Sequence, residues 1–207
     1  MLKNNAFEPW LAHLITFEGG RQPQPGESLD RAYELARPTA WSCDEADPGG
    51  ATMCGITLRV FRIWRQAFMH MPAPTAADLR AMDYGEWEQI VETLYWRFYK
   101  LHTVPYDCLA LCFAENIFMS GRAGIREIQA VLGCTPDGVI GPSTIGAMRH
   151  RIRTREEARA TCHLLLARRM ERLRQLPRFA RYGRGWERRA DATLAKLGEM
   201  DLTIGGE

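Results

Sequence analysis

Residues 7–20 read FEPWLAHLITFEGG. Phe7, Trp10, Leu11, Leu14 and Ile15 recur at i, i+3, i+4, i+7 and i+8, the spacing that lays apolar side chains along one face of an α-helix. Gly19-Gly20 stops the pattern as a C-terminal cap does. The next position on the apolar stripe is 18, and it holds a glutamate. A carboxyl group there stands beside desolvating side chains and near the negative end of the helix dipole. Both disfavour its ionised form. A carboxylic acid that keeps its proton near neutral pH can protonate a leaving oxygen, as a glycosidase requires. The two glycines leave the approach to it open. A solvated carboxylate at a fraying helix end satisfies the same spacing, so periodicity alone leaves both readings standing.

Outward from this stretch the chain is punctuated as a series of helices. Residues 21–46, with Pro23, Pro25, Gly26 and Pro38, read as a long loop carrying a short helix near Leu29–Ala36. Asp47-Pro48-Gly49-Gly50 is a turn cluster, and a small hairpin is expected over Ala51–Thr57. Val60, Phe61, Trp64 and Phe68 mark a second helix. Thr75 with Asp78 forms a capping box. Asp83 caps the next helix, whose stripe of Trp87, Ile90, Val91, Leu94, Tyr95 and Phe98 predicts Trp87 and Tyr95 in the core, with Trp96 and Tyr99 partly off it. Further helices are expected over Cys108–Met119, across Ile125–Leu132, from Pro142, over about Arg155–Leu176, and from near Trp186. Strand signals are scarce, so the class is mainly α with at most one small β-hairpin. Residues 1–120 form the first region and 121–207 a helical second region, packed on it as one compact unit.

The composition is that of a folded protein: 46% of the 207 residues are hydrophobic and 25% charged, which excludes a disordered chain. Lys and Arg exceed Asp and Glu by 27 − 25 = 2. Residues 149–189 nevertheless hold fourteen Arg and no Lys against Glu156, Glu157, Glu171 and Glu187, a local balance of 14 − 4 = +10. Leu164, Leu165, Leu166, Leu173 and Leu176 in that segment form the stripe of a packed helix, so a nucleic-acid partner is not expected. No apolar run approaches the ~18–20 residues of a membrane span. The N-terminal residues lack the continuous apolar core and cleavage site of a secretory leader. Six cysteines without a CxxC pair argue against a zinc ribbon and read as buried free thiols. The five histidines have no metal spacing, and no cofactor is expected.

The ordered motifs carry a resemblance. Glu18-Gly19-Gly20, Asp47-Pro48-Gly49-Gly50-Ala51-Thr52 and Gly55-Ile56-Thr57 resemble the signature of glycoside hydrolase family 108. These are bacterial and phage N-acetylmuramidases with a lysozyme-like fold, some known as secretion-activator proteins. Leu94-Tyr95-Trp96-Arg97-Phe98-Tyr99 is similar to the family's Tyr/Trp-rich helix. Ile128–Gly133 with Asp137–Pro142 and Thr144 resembles its peptidoglycan-binding segment, and Phe179, Gly185-Trp186 and Arg189 its closing motif.

The resemblance implies that Glu18 is the general acid acting on the β-1,4 bond between N-acetylmuramic acid and N-acetylglucosamine. It places Asp47 and Thr52 where such enzymes hold a water or steady developing positive charge, each with a turn-making role as the other reading. Thr57, Trp96, Tyr99 and Glu115 are candidate substrate-binding residues; Thr57 also reads as a hairpin or cap residue, and Glu115 as a structural carboxylate. Arg21 stands where the family carries an aromatic residue, and Met119 where it carries an amide. The expected partner is the peptidoglycan glycan strand, met by a monomer without membrane insertion. The implied route is synthesis in the bacterial cytoplasm without a Sec signal and arrival at the wall through holin-type or other non-classical release. A non-catalytic wall-binding or secretion-assisting protein retaining the fold is the alternative. The arginines would then favour an anionic wall over nucleic acid.

Overall fold

The computed structural model describes residues 4–43 and 50–202. The protein is mainly α, 71% helical, with a lysozyme-like architecture and one small antiparallel sheet. The chain divides into two compact units, one of Glu8–Arg97 and the other of the N-terminal residues through Phe7 with Phe98 onward. The division falls at Arg97/Phe98.

The first unit opens on α1 (Phe7–Glu18). Trp10, Leu11, Leu14 and Ile15 are fully buried, as the stripe requires. The loop expected over 21–46 is shorter than its prolines suggest, because α2 spans Leu29–Ala40 and runs through Pro38. Ser28 caps it by accepting from the Arg31 amide at 3.2 Å. Its inner face, Ala32, Tyr33, Ala36 and Ala40, is small enough to lie close to its neighbours. The chain leaves α2 straight into β1 (Trp41–Ser42), which pairs antiparallel with β2 (Thr52–Met53); β2 pairs in turn with β3 (Ile56–Thr57). The expected hairpin is present and has gained a third strand.

Two helices of this unit change pitch. α3 (Leu58–Ile63) passes into a π-helical turn at Trp64–Phe68, and α5 (Tyr84–Val91) into another at Glu92–Arg97. α4 (Ala76–Arg80) lies between them behind the expected Thr75/Asp78 capping box. The second π turn overturns the register read from sequence. A wider turn rotates every later side chain, so Trp96 becomes buried at 4% exposed while Phe98, on the expected apolar stripe, is 69% exposed. Tyr95 is only half-buried. Trp87 is buried as expected, and its indole N–H donates to the Cys54 carbonyl at 3.0 Å.

The second unit is built on α6 (Asp107–Leu132), α7 (Pro142–Arg151), α8 (Arg155–Arg174) and α9 (Phe179–Leu202). α6 is two helices joined at Gly121, whose φ of +52° and ψ of −129° break the helical path. Just beyond the break, a Cβ on Gly124 would stand 2.2 Å from the Asn116 carbonyl oxygen. The Asn116 side chain donates back to the Gly124 carbonyl at 3.0 Å. α9 starts at Phe179, earlier than Trp186. Gly183 makes this possible, since a Cβ there would lie 2.7 Å from the Phe179 ring. Cys108, Cys112 and Cys162 are buried thiols between α6 and α8, and Cys54 is buried in the first unit; Cys43 is exposed. The Cys162 thiol donates to the Cys108 carbonyl at 3.6 Å.

Candidate active site

Glu18 ends α1 in a half-buried position, and the residue after it explains how that end is fixed. Gly19 is buried against α2. A Cβ at position 19 would lie 2.5 Å from the Ile15 carbonyl oxygen and 2.8 Å from the Ala36 Cβ, closer than van der Waals packing permits. The Thr39 hydroxyl donates to the Gly19 carbonyl at 2.6 Å. Gly20 then turns the chain away with a φ of +73°, a conformation that glycine adopts without strain. The carboxyl-bearing end of α1 is therefore seated on the last turn of α2, two residues before β1 begins.

The sheet that follows sorts its side chains by face. Ser42 lies opposite Thr52, and Thr52 opposite Thr57. Directly opposed residues share a face, so three hydroxyl groups form a row across the three strands. Trp41, Met53 and Ile56 form the row on the other face, where Met53 and Ile56 are buried. The structure thus brings Thr52 and Thr57 together, and adds Ser42, which no sequence motif singled out. The Thr57 hydroxyl oxygen also accepts from the Val60 amide at 3.3 Å as the cap of α3, the cap role foreseen for it. Asp47 lies outside the described residues. Arg21 forms a two-pronged pair with Glu27, at 2.7 and 2.9 Å. That pair and the Gln24 amide hold the Glu27 carboxyl below its ordinary range, and they brace the loop that leaves Gly20.

Three of the candidate substrate-binding residues have other surroundings. Trp96 is buried, its ring stacked on Trp10 at 5.7 Å; the π turn has rotated it away from solvent. Glu115 is 0% exposed. It is gripped by Arg189, whose Nε donates to Oε1 and whose Nη2 donates to Oε2 at 3.2 Å. Neither side chain presents itself to a glycan. Tyr99 is half-buried, edge-on to Phe98 at 5.0 Å, and burial pushes its phenol above the usual tyrosine range. With Phe113, Ile140 and Met148 it walls a small apolar cavity in the second unit.

The arginine-rich segment also resolves into separate roles. Arg169 and Arg189 are buried on Glu115, Arg172 pairs with Glu127, and Arg174 pairs with Glu187 at 3.1 Å. Arg169 and Arg189 therefore contribute nothing to a solvated basic face. No group of three or more His, Cys, Asp or Glu able to hold a metal occurs among the described residues. No helix among them is long and apolar enough to cross a membrane.

The segment that resembles a peptidoglycan-binding motif is a compact polar knot. The Gln129 side-chain amide donates to Asp137 Oδ1 at 2.7 Å, to the Val139 carbonyl at 3.0 Å and to the Thr144 hydroxyl at 3.0 Å. Its carbonyl oxygen accepts from the Gly138 amide at 2.8 Å. These bonds fold the turn onto α6 and set the start of α7.

No curated protein matches the chain. A solved structure of Brucella abortus SagA is similar over 82% of this chain and 95% of its own, with a TM-score of 0.64 and 23% identity, and shares its fold. Residues 35–121 match the family model described as glycosyl hydrolase 108. The match takes in the end of α2, the sheet, both π turns and the first half of α6, and begins after Glu18. Over residues 35–121, then, the chain is similar to glycosyl hydrolase 108 proteins.

Proposed function

We propose that the protein is an N-acetylmuramidase that cleaves the β-1,4 bond between N-acetylmuramic acid and N-acetylglucosamine in peptidoglycan, with Glu18 as general acid. The observation that carries this reading is the seating of the α1 terminus. Gly19 packs without a side chain on Ala36, and Thr39 holds its carbonyl. The backbone that carries Glu18 is thereby held by two helices. General acid catalysis needs that fixity, because the proton must reach the glycosidic oxygen within hydrogen-bond distance. The similarity of residues 35–121 to glycosyl hydrolase 108 supports the reaction class.

In this mechanism the protonated Glu18 carboxyl donates its proton to the bridging oxygen as the glycosidic bond lengthens, and positive charge develops on the sugar that stays behind. Thr52, with Ser42 and Thr57 in the same row, supplies polar groups for the attacking water or the sugar hydroxyls. Asp47 is the second carboxylate of the proposal. The test is Glu18→Gln with purified peptidoglycan. The amide keeps the shape and loses the proton, so release of reducing sugar stops while the protein still sediments with the wall. A fully active Glu18→Gln variant contradicts the assignment. A wild-type protein that binds wall and releases no sugar favours the non-catalytic, secretion-assisting reading.

A further inference from the structure

The exposed apolar side chains are unevenly spread. Ten large hydrophobic residues are exposed among the described ones, and four of them fall within nine positions. These are Ile63, Phe68, Met69 and Met71, at 42–47% exposure, and clustered exposure of this kind marks contact surfaces. All four lie in the first unit, where α3 passes into its π turn. The Met69 amide donates to the Trp64 carbonyl, five residues back, at 3.2 Å. A turn of that width sets Phe68 one turn beyond Ile63, on the same side of the helix. Phe68 stacks on the buried Trp64 ring at 5.5 Å. His70 then takes a left-handed φ of +53°, and the Met71 amide donates to the Arg65 carbonyl at 2.8 Å. Residues 69–71 thus wrap the end of the helix and add two methionines to its apolar tip.

The charges beside the tip are of one sign. Residues 48–77 hold Arg59, Arg62 and Arg65 and no Asp or Glu. Arg59 and Arg62 are exposed on α3. Arg65 is turned inward, with both Glu86 oxygens at 2.7 Å and the Phe61 ring 4.8 Å beneath it. Asp78, the first acid after this stretch, is held by Thr75 in the α4 capping box. An apolar tip with a cationic flank matches a surface that is anionic outside and apolar beneath. A bilayer with acidic headgroups has that profile. A second copy of the chain matches it less well, since two-fold pairing would bring Arg59 and Arg62 toward their own counterparts.

We propose that Ile63, Phe68, Met69 and Met71 seat the protein on an anionic lipid bilayer, with Arg59 and Arg62 on the headgroup phosphates. The apolar side chains enter the boundary between headgroups and acyl chains, and the helix stays at the surface. Nothing in this contact crosses the membrane. Methionine, unbranched and adaptable, suits so irregular a boundary, and the arginine stems reach back to the charged layer. The tip lies at the C-terminal end of the helical run that Thr57 caps at its start, so the contact leaves the hydroxyl row uncovered.

Flotation of the whole protein with vesicles tests the proposal, using phosphatidylcholine alone and phosphatidylcholine mixed with phosphatidylglycerol. Binding to the mixed vesicles is about tenfold tighter than to phosphatidylcholine alone, and added salt weakens it. Ile63→Ser, Met69→Ser and Met71→Ser together lower binding to the mixed vesicles about tenfold, with the melting temperature nearly unchanged because the three side chains are exposed. Arg59→Gln with Arg62→Gln brings binding to the mixed vesicles down to the phosphatidylcholine level. Leu164→Ser, at an equally exposed leucine of the second unit, leaves binding unchanged. Absence of flotation with the mixed vesicles, equal affinity for the two compositions, or unchanged binding in the triple variant overturns the proposal. Sedimentation velocity without lipid reads the competing occupant: a dimer that the triple variant dissolves assigns the tip to a second copy and overturns the bilayer. The vesicles carry no glycan, so the result stands or falls separately from the hydrolase reading.

Discussion

Glu18 and Glu115 are both glutamates on helices, one in each unit, and their surroundings are opposite in kind. Glu18 stands at a helix end, half-buried, with its position set by backbone packing through Gly19 and Thr39. Glu115 stands in the middle of α6, without solvent, with its position set by two arginines. A carboxyl group that transfers protons to a substrate must be reachable and must exist in both protonation states. One locked against two guanidinium groups and buried is out of a substrate's reach, and its energy goes into the fold. The comparison separates a catalytic candidate from a structural one by environment, where residue type and helix position do not.

The difference predicts contrasting mutants. Glu18→Gln lowers hydrolysis by ~10²–10⁴-fold, the usual share of general acid catalysis, with the melting temperature nearly unchanged. Calorimetry alongside a reducing-sugar assay reads both. Glu115→Ala does the reverse: it removes the buried carboxylate that Arg169 and Arg189 share, and breaking such a group costs ~3–5 kcal/mol. Chemical denaturation reads that loss, and an unchanged midpoint would erase the contrast between the two glutamates.

Smaller changes sharpen the same contrast. Gly19→Ala places a Cβ against the Ile15 carbonyl and Ala36, so the end of α1 shifts; overpacking of this kind costs ~1–3 kcal/mol. Hydrolysis falls with it, whereas Gly146→Ala, where a Cβ meets open space, leaves hydrolysis unchanged. Thr154→Ala removes the hydroxyl that accepts from the Glu157 amide at 3.2 Å in the α8 capping box, a loss of ~1 kcal/mol confined to stability.

The smallest effect is acid loosening of the 137–144 turn. Hydrogen bonds from Gln129 and from the Val139 amide hold the Asp137 carboxyl below the ordinary aspartate range. Its folded value lies under its unfolded one, so its contribution is complete above about pH 4 and is lost as the pH falls through the folded value. Amide resonances of Gly138 and Val139 shift in that acid range, and Asp137→Asn abolishes the titration.

The sequence carried α1, its capping glycines and the terminal glutamate, because one period and one stop signal are local properties. The Thr75/Asp78 capping box and the Gly133 helix end were legible for the same reason. The π turns were not. A period read upstream of Glu92 extrapolates to Leu94, Tyr95 and Phe98, and a single wider turn puts Trp96 inside instead. Nor was the Glu115 partnership, which joins residues 74 positions apart; no periodicity connects α6 to α9. Ser42 is a third case, since its place in the hydroxyl row follows from strand pairing alone.

Mass spectrometry of the muropeptides released from purified peptidoglycan tests the central claim most directly. The account predicts fragments ending in a reducing N-acetylmuramic acid with the wild-type protein, and none with Glu18→Gln folded to the same melting temperature. Fragments ending in reducing N-acetylglucosamine, or the same N-acetylmuramic acid ends from the Glu18→Gln variant, would contradict it.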